Sequence, residues 1–311
     1  MIYVKNCFSE VIFLNTQYIC EMNGNFRTET DVFFSEKCSF RVGGKIGLCV
    51  FPSNEEELIY AVKKAEEYGE KYIVLGNMTN ILPSDDTYDG TVIVTSEMQK
   101  MRFDGNFVFA EAGAPLTRLS LLSARQGLSG LEFAYGIPGS LGGAVYMNAG
   151  AYGGCMADVL TSVTAYDPKS GVVSDYTADE CEFGYRNSRF RHSGEIILSA
   201  RFELKRGNAD EIISECEKNM SARREKQPLD KPSAGSTFRR PTGYYAGALI
   251  EASGFKGMRC GGAQVSEKHA GFIINAENAS SADIAEIIER IKNKVYKDSG
   301  VMLEEEIIYI K

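Results

Sequence analysis

Seven of the nineteen residues between Gly136 and Gly154 are glycine, and the rest are mostly small or apolar. No other stretch limits the chain so strongly. Glycine permits positive φ and lets backbone pass close to another group, leaving N–H groups free to face phosphate oxygens. A tight turn near a sheet edge needs only one or two glycines. Seven with interleaved apolar residues predict a cradle for a cofactor. No two glycines in the chain are separated by a single residue, so the G-x-G-x-x-G dinucleotide fingerprint is absent, and so is a glycine-lysine-serine P-loop. A dinucleotide bound here requires a different fold.

Around this segment the 311 residues alternate short elements. A possible strand covers 11–14, and residues 1–35 carry no recognisable chemistry. Ser53 is expected to cap a helix over 56–68, with Glu56 completing a capping box and Gly69 ending it. Strands are expected over 71–75, 91–95, 106–111, 159–166 and 195–204, with helices from Pro115 to Gln126 and over 209–225. Prolines and glycines make 227–243 a loop. A helix over 245–252, a strand over 270–275, an amphipathic helix over 281–298 and a strand over 303–310 follow. The elements lack a steady βαβ rhythm, so the class is α+β.

Composition excludes several functions. A net charge of −8 argues against nucleic acid. No stretch approaches the ~18 apolar residues of a membrane span, and the N-terminus lacks the pattern of a signal peptide. The chain is therefore expected to be cytoplasmic, without membrane insertion. Eight cysteines without a C-x-x-C pair predict reduced, mostly buried thiols, and two histidines leave little scope for a metal site. Three basic clusters stand out: Arg186, Arg189 and Arg191; Arg223, Arg224 and Lys226; Arg239 and Arg240. Each suits either solvated surface or an anionic ligand.

The segment 130–153, GLEFAYGIPGSLGGAVYMNAGAYG, closely resembles the signature of the UDP-N-acetylenolpyruvoylglucosamine reductases, also called UDP-N-acetylmuramate dehydrogenases. The resemblance continues in SFRVGG (39–44), GYRNS (184–188), KQP (226–228), PSAGSTFRRP (232–241), GALIEASGFKG (247–257), VSEKHAGFIIN (265–275) and LEEEI (303–307). It implies a two-lobed FAD-binding fold of the vanillyl-alcohol-oxidase type with a C-terminal α+β substrate domain. The lobes are expected at 1–84 with the terminal strand 303–311, at 85–215 and at 216–300. It implies noncovalent FAD, NADPH as hydride donor, a UDP-sugar substrate, a monomer, and a place in peptidoglycan precursor synthesis. The 50-residue interval from Arg186 to Ser236 is similar to the short form of the family, which lacks an inserted substrate-capping loop.

Residue by residue, the resemblance implies Arg186 as the cation for the substrate carboxylate, Ser236 as proton donor and Glu306 as the orienting carboxylate, with Glu304 as runner-up. It places FAD against Arg41, against Leu75, Gly76, Asn77, Met78, Thr79, Asn80 and Ile81, and against Gly113 and Ala114. The cofactor set continues with Ile137, Pro138, Gly139, Ser140, Gly143, Ala144, Asn148, Ala149 and Gly150. Tyr185, Lys226, Arg240 and His269 are implied substrate contacts, His269 being equally readable as structural. Two departures stand out. The family's L-G-G-G-S-N loop reads Leu75-Gly-Asn-Met-Thr-Asn80, where Asn77 suits positive φ and Met78 does not. Ile308 stands where the family often has arginine. A covalent-flavin oxidase of the same fold and a non-catalytic sugar-nucleotide binder are the rival readings.

Purified protein is expected to be yellow, with about one FAD per chain released into the supernatant by acid precipitation. Flavin that stays with the pellet indicates the covalent oxidase, and a colourless protein that takes up no FAD removes the reading altogether.

Overall fold

The computed structural model describes residues 14–311, so the strand expected over 11–14 lies almost wholly outside the described residues. The chain forms two compact units. Among the described residues the first gathers 14–31, 46–77 and 89–221; the second gathers 32–45, 78–88 and 222–311. The long first-unit stretch ends at 221, and the short segments 32–45 and 78–88 cluster with the C-terminal part.

Among the described residues, unit 1 carries two large sheets. In one, the strands run in the order Arg27–Glu29, Lys45–Phe51, Tyr88–Val94 and Tyr72–Leu75. The last two are parallel, joined in register from Tyr72 opposite Thr91 to Leu75 opposite Val94. Their side chains are almost all buried, as expected of a strand covered on both faces. The other sheet is antiparallel, in the order Val172–Thr177, Leu160–Asp167, Ile196–Glu203, Phe107–Glu111 and Met101–Asp104. The edge strand Val172–Thr177, not anticipated from the sequence, has exposed Val172 and Val173 and so lacks the alternation that marks a half-buried strand. The glycine-rich segment is not a continuous loop. It contains a helix, Leu141–Tyr146, which lies against the strand Ile196–Glu203. Two glycines at its first turn have low helix propensity, and the helix persists through tertiary bonds. The Leu141 N–H donates to the Ala114 carbonyl at 2.9 Å and that of Gly142 to the Ala112 carbonyl at 2.7 Å.

The helix Glu55–Glu67 corrects a sequence expectation. Its N-cap is Asn54, whose side-chain oxygen accepts the Glu57 N–H at 3.0 Å, and not Ser53. Ser53 sits one residue earlier, where its N–H and hydroxyl both donate to the Glu57 carboxylate, at 2.8 and 2.9 Å. The carboxylate partner is thus Glu57 rather than Glu56. Gly69 follows at φ +70°.

Unit 2 is organised by the helix Ser281–Ser299. Ser280 and Asp283 form its capping box, and the Asp85 carboxylate accepts the N–H groups of Ser281 and Ala282 at 2.9 and 3.0 Å, adding negative charge at the positive helix end. Ile284, Ile287, Ile288, Ile291 and Val295 are fully buried, each contributing on the order of 1.5–3 kcal/mol relative to exposure. They face a three-stranded antiparallel sheet of Arg259–Cys260, Ala263–Val265 and Ile273–Asn275. The strand expected over 270–275 is shortened because 266–272 forms a turn. The terminal strand is also shorter than expected. Only Ile308–Ile310 is strand, parallel to Ile81–Pro83, and residues 304–306 pair elsewhere, beside 237–239.

Replacing Asn54 by alanine is expected to lower stability by about 1 kcal/mol, read as a shift in the urea midpoint, with Ser53→Ala costing less. The reverse order contradicts the capping assignment.

Candidate active site

In unit 1, Gly76, Asn77, Gly113, Ala114 and the 137–150 segment form one hydrogen-bonded neighbourhood. The Asn77 amide donates to the Pro138 carbonyl at 3.1 Å, Thr117 Oγ1 to the Ile137 carbonyl at 3.1 Å, and the Leu116 N–H to the Gly139 carbonyl at 3.0 Å. These carbonyls are therefore turned into the protein. By contrast, the N–H groups of Gly76, Asn77, Gly139 and Ser140 have no protein acceptor among the described residues, and Gly76 and Ser140 are buried. Buried N–H groups need acceptors, and a set of them around a helix start is an anion receptor. The residues present therefore fit the pyrophosphate of a dinucleotide such as FAD.

Several of the glycines are also demanded by packing. A Cβ on Gly76 would run into the Ser140 side chain, and one on Gly113 into the Thr95 carbonyl. Gly150 pairs with Cys155 and Gly154 with Ala151 across a small hairpin, where a Cβ on either glycine would come within 2.8 Å of Cys155 and Phe133 respectively. Close packing of chain on chain accounts for the missing side chains at these four, while the Gly76 N–H stays with those of Gly139 and Ser140 in the receptor.

Arg186 occupies the second corner of a tight turn. Gly184 and Asn187 exchange both backbone bonds, at 3.0 and 3.2 Å, with Tyr185 and Arg186 between them. Arg186 has φ +52°, at the corner a type II turn reserves for glycine. A left-handed arginine costs roughly 1–2 kcal/mol, so the surroundings must enforce it. They do. The buried Ser188 hydroxyl donates to the Tyr146 carbonyl at 2.8 Å, and the Asn148 amide to the Gly184 carbonyl at 3.0 Å. Arg186 Nη2 donates to the Gly150 carbonyl at 3.2 Å, and the guanidinium carbon lies 5.3 Å from the centre of the exposed Tyr185 ring. The turn is thereby bound to the glycine-rich segment. Its neighbours have structural duties: Arg189 pairs with Glu195 at 3.2 Å and stacks on Tyr176, and Arg191 Nη1 meets Met147 Sδ at 2.8 Å.

Of the eight non-glycine residues at positive φ among the described residues, four are expected site residues: Arg41, Met78, Asn148 and Arg186. Strain of this kind persists where the fold over-determines it, often at functional sites. In the atypical loop the left-handed residue is Met78, at φ +50°, rather than Asn77. Burial of its side chain, 6% exposed, offsets the strain.

Unit 2 holds Ser236 and Glu306 on neighbouring chain segments. Ser236 lies opposite Phe272, and the Thr237 N–H donates to the Gly271 carbonyl at 2.9 Å. On the other side, the Glu306 N–H donates to the Thr237 carbonyl at 2.8 Å and Phe238 lies opposite Glu305. The Asn80 amide donates to the Glu306 carbonyl at 3.1 Å. The three adjacent glutamates differ. Glu304 is largely exposed and 3.6 Å from Arg239, Glu305 is paired with Lys292 at 2.7 Å, and Glu306 is half-buried. Ser236 itself is exposed.

The Arg240 guanidinium carbon lies 4.1 Å from the Tyr245 ring centre, and both tyrosines 244 and 245 are exposed. Their adjacency to a basic pair was a readable signal that the sequence analysis passed over. Lys226 is exposed at the end of the helix Ala209–Lys226. Thr237, also missed, is fully buried with a hydroxyl that has no partner among the described residues. His269 Nδ1 accepts the Gly271 N–H at 3.0 Å, and burial holds its pKa below the ordinary histidine value. Among the described residues no cluster of three or more His, Cys, Asp or Glu could hold a metal. No described helix is long and apolar enough to cross a membrane.

Residues 47–175 match the family model of an FAD binding domain, and residues 227–310 match that of the UDP-N-acetylenolpyruvoylglucosamine reductase C-terminal domain. The chain is 44% identical over 277 residues to the UDP-N-acetylenolpyruvoylglucosamine reductase of Caldicellulosiruptor bescii, covering 88% of each. The chain belongs to the UDP-N-acetylenolpyruvoylglucosamine reductase family. A crystal structure of the Thermus caldophilus reductase of that name aligns at TM-score 0.79 and 35% identity, covering 92% of this chain and 100% of the other. An alkyldihydroxyacetonephosphate synthase aligns at TM-score 0.50 and 17% identity, covering 65% of this chain and 43% of the other, a likeness of fold alone. The reductase family thus carries here its α+β class, an FAD-binding domain and its own C-terminal domain, as the resemblance implied.

The strained turn yields a comparison of two variants. Arg186→Gly and Arg186→Ala both remove the guanidinium, but only glycine relieves the left-handed corner. Arg186→Gly is expected to be more stable than Arg186→Ala by about 1 kcal/mol, measured by urea denaturation. Alanine equal to or more stable than glycine shows that the corner is not strained.

Proposed function

We propose that the chain reduces the enolpyruvyl group of UDP-N-acetylglucosamine enolpyruvate to give UDP-N-acetylmuramate, with NADPH as the hydride source, in the cytoplasm and as a monomer. One observation carries the reading: similarity to a named reductase extends over 88% of both chains, and Ser236 and Glu306 stand within the stretch that matches the family's C-terminal domain. The orphaned N–H groups of Gly76, Gly139 and Ser140 support FAD as the resident cofactor. FAD, when bound, supplies a hydride carrier between NADPH and the enolpyruvyl methylene carbon.

The protein's own residues have three tasks. As hydride reaches the methylene, negative charge grows on the adjacent carbon and its carboxylate. Arg186, with a forked guanidinium held on a rigid corner, suits that carboxylate, and its enforced φ means that little reorganisation accompanies the charge. Ser236 gives its hydroxyl proton to the same carbon. Serine is a weak acid, and a transient carbanion is basic enough to take the proton without a standing base. Glu306, anchored through its own N–H and carbonyl, orients the carboxyl end of the substrate. Lys226, Arg240 and Tyr185 complete the proposed substrate set, with the cations toward the diphosphate, while His269 takes its structural reading. The three-lobed division, with the third lobe holding the sugar nucleotide, belongs to the same proposal.

Ser236→Ala tests the reading by stopped-flow. NADPH is expected to bleach the flavin at a near-normal rate, while reoxidation by the enolpyruvyl substrate slows by ~10²–10⁴, the usual worth of a positioned general acid. Cysteine at 236 is expected to outperform alanine. Equal losses in both halves, or in neither, remove serine from the role of acid.

A further inference from the structure

Ser236 does not place itself. It is exposed and follows Gly235, which has φ +77°. What holds it on the C-terminal side of the chain is the turn at 269–272. The Gly271 carbonyl receives the Thr237 N–H, and Phe272 lies opposite Ser236. That turn is shaped by one side chain. His269 Nδ1 accepts the Gly271 N–H at 3.0 Å, while the His269 carbonyl accepts the Phe272 N–H at 2.9 Å. The Ser266 hydroxyl receives the N–H groups of Lys268 and His269 at 3.1 and 3.3 Å, and the Ser266 N–H returns to the Phe272 carbonyl at 2.9 Å.

The imidazole is fixed in place. A Cβ on Gly271 would stand 2.9 Å from its Cε1 and one on Gly247 3.3 Å away, so two glycines make room for the ring. The Phe272 ring meets it edge-on, with centres 5.0 Å apart. Accepting the Gly271 N–H requires a lone pair on Nδ1, so the ring is neutral with its proton on Nε2. Half-burial of the ring favours the same neutral form.

We propose that His269 is a positioning residue for Ser236, acting through Nδ1 on the Gly271 amide, and so on the carbonyl that holds Thr237, rather than by touching the substrate. The inference rests on the reading of Ser236 as proton donor for its kinetic consequence, but its structural content is independent. The geometry also says which replacement suffices. Asparagine can offer its Oδ1 to the N–H two residues on, as in an Asx-turn, whereas glutamine places its amide where Nε2 was and leaves the Gly271 N–H without an acceptor.

The experiment compares His269→Asn, His269→Gln and His269→Phe, each checked for flavin content and folding by circular dichroism. Reoxidation by the enolpyruvyl substrate is expected to slow by up to ~10² in the Gln and Phe variants, the cost of a misplacement of about 1 Å. Asn is expected to stay within roughly tenfold of wild type. Flavin reduction by NADPH and the substrate dissociation constant should hold in all three. Amide hydrogen exchange at Thr237 reads the positioning directly, with protection kept in Asn and lost in Gln and Phe. Rescue by Gln instead of Asn, or weakened substrate binding, assigns His269 to substrate contact through Nε2 and overturns the proposal. So does Thr237 protection that survives in the Phe variant. Should Ser236→Ala reoxidise normally, the proton-donor reading falls, and Thr237 exchange still decides whether His269 positions this segment.

Discussion

The Gly142 N–H to Ala112 carbonyl bond, 2.7 Å long, and its neighbour from Leu141 to Ala114 are what the glycine-rich part of unit 1 depends on. The Ala112 N–H in turn donates to the Leu198 carbonyl, so the short helix, the 112–114 turn and the central strand of the antiparallel sheet form one backbone chain. A six-residue helix beginning Leu-Gly-Gly does not form by propensity. Held in this way, it can present the unpaired N–H groups of Gly139 and Ser140. Through Tyr146, Asn148 and Gly150 it also anchors the turn that carries Arg186. Electrostatic preorganisation here is backbone geometry first and side-chain charge second.

Much of this was legible beforehand, and the reasons are physical. The Ile284-to-Val295 stripe has helical spacing, so its burial followed directly. The helix from Leu116 to Arg125, bounded by Pro115 and Gly127, stands as expected, because proline and glycine act locally. The terminal strand was overextended because the apolar run Ile307 to Ile310 was carried back to Leu303, and nothing local says that 304–306 pairs with 237–239 across a loop. The N-cap moved from Ser53 to Asn54 because both are good caps and only three-dimensional reach chooses between them. The hairpin strand Val172–Thr177 was missed because its valines face solvent.

At the candidate site, residue identity was easier to read than conformation. Arg186, Ser236 and Glu306 were chosen by resemblance, and the structure adds features that no spacing encodes: a left-handed arginine, a serine held by a histidine's turn, and a glutamate with both backbone groups bound. The reversal at Met78 is instructive. Sequence preference pointed to Asn77 for positive φ, yet burial of the methionine side chain decides the conformation, a case of packing overriding local propensity.

Unit 2 is drawn from three separated stretches of chain, and its parallel strand pair joins Ile81–Pro83 to Ile308–Ile310. The Asn80 and Glu306 that flank that pairing are 226 residues apart. On a ribosome adding roughly 5–20 residues per second, the earlier strand emerges on the order of 10–45 s before its partner exists. During that time Ile81, Leu82 and Pro83 lack the edge that later covers them, while unit 1 already has most of its strands. Residues 308–310, translated so much later, therefore act as a closing clasp. Until they arrive, an apolar edge strand is open to mispairing, and the proline at its end, lacking an N–H, is the kind of residue that makes such an edge a poor template for other strands.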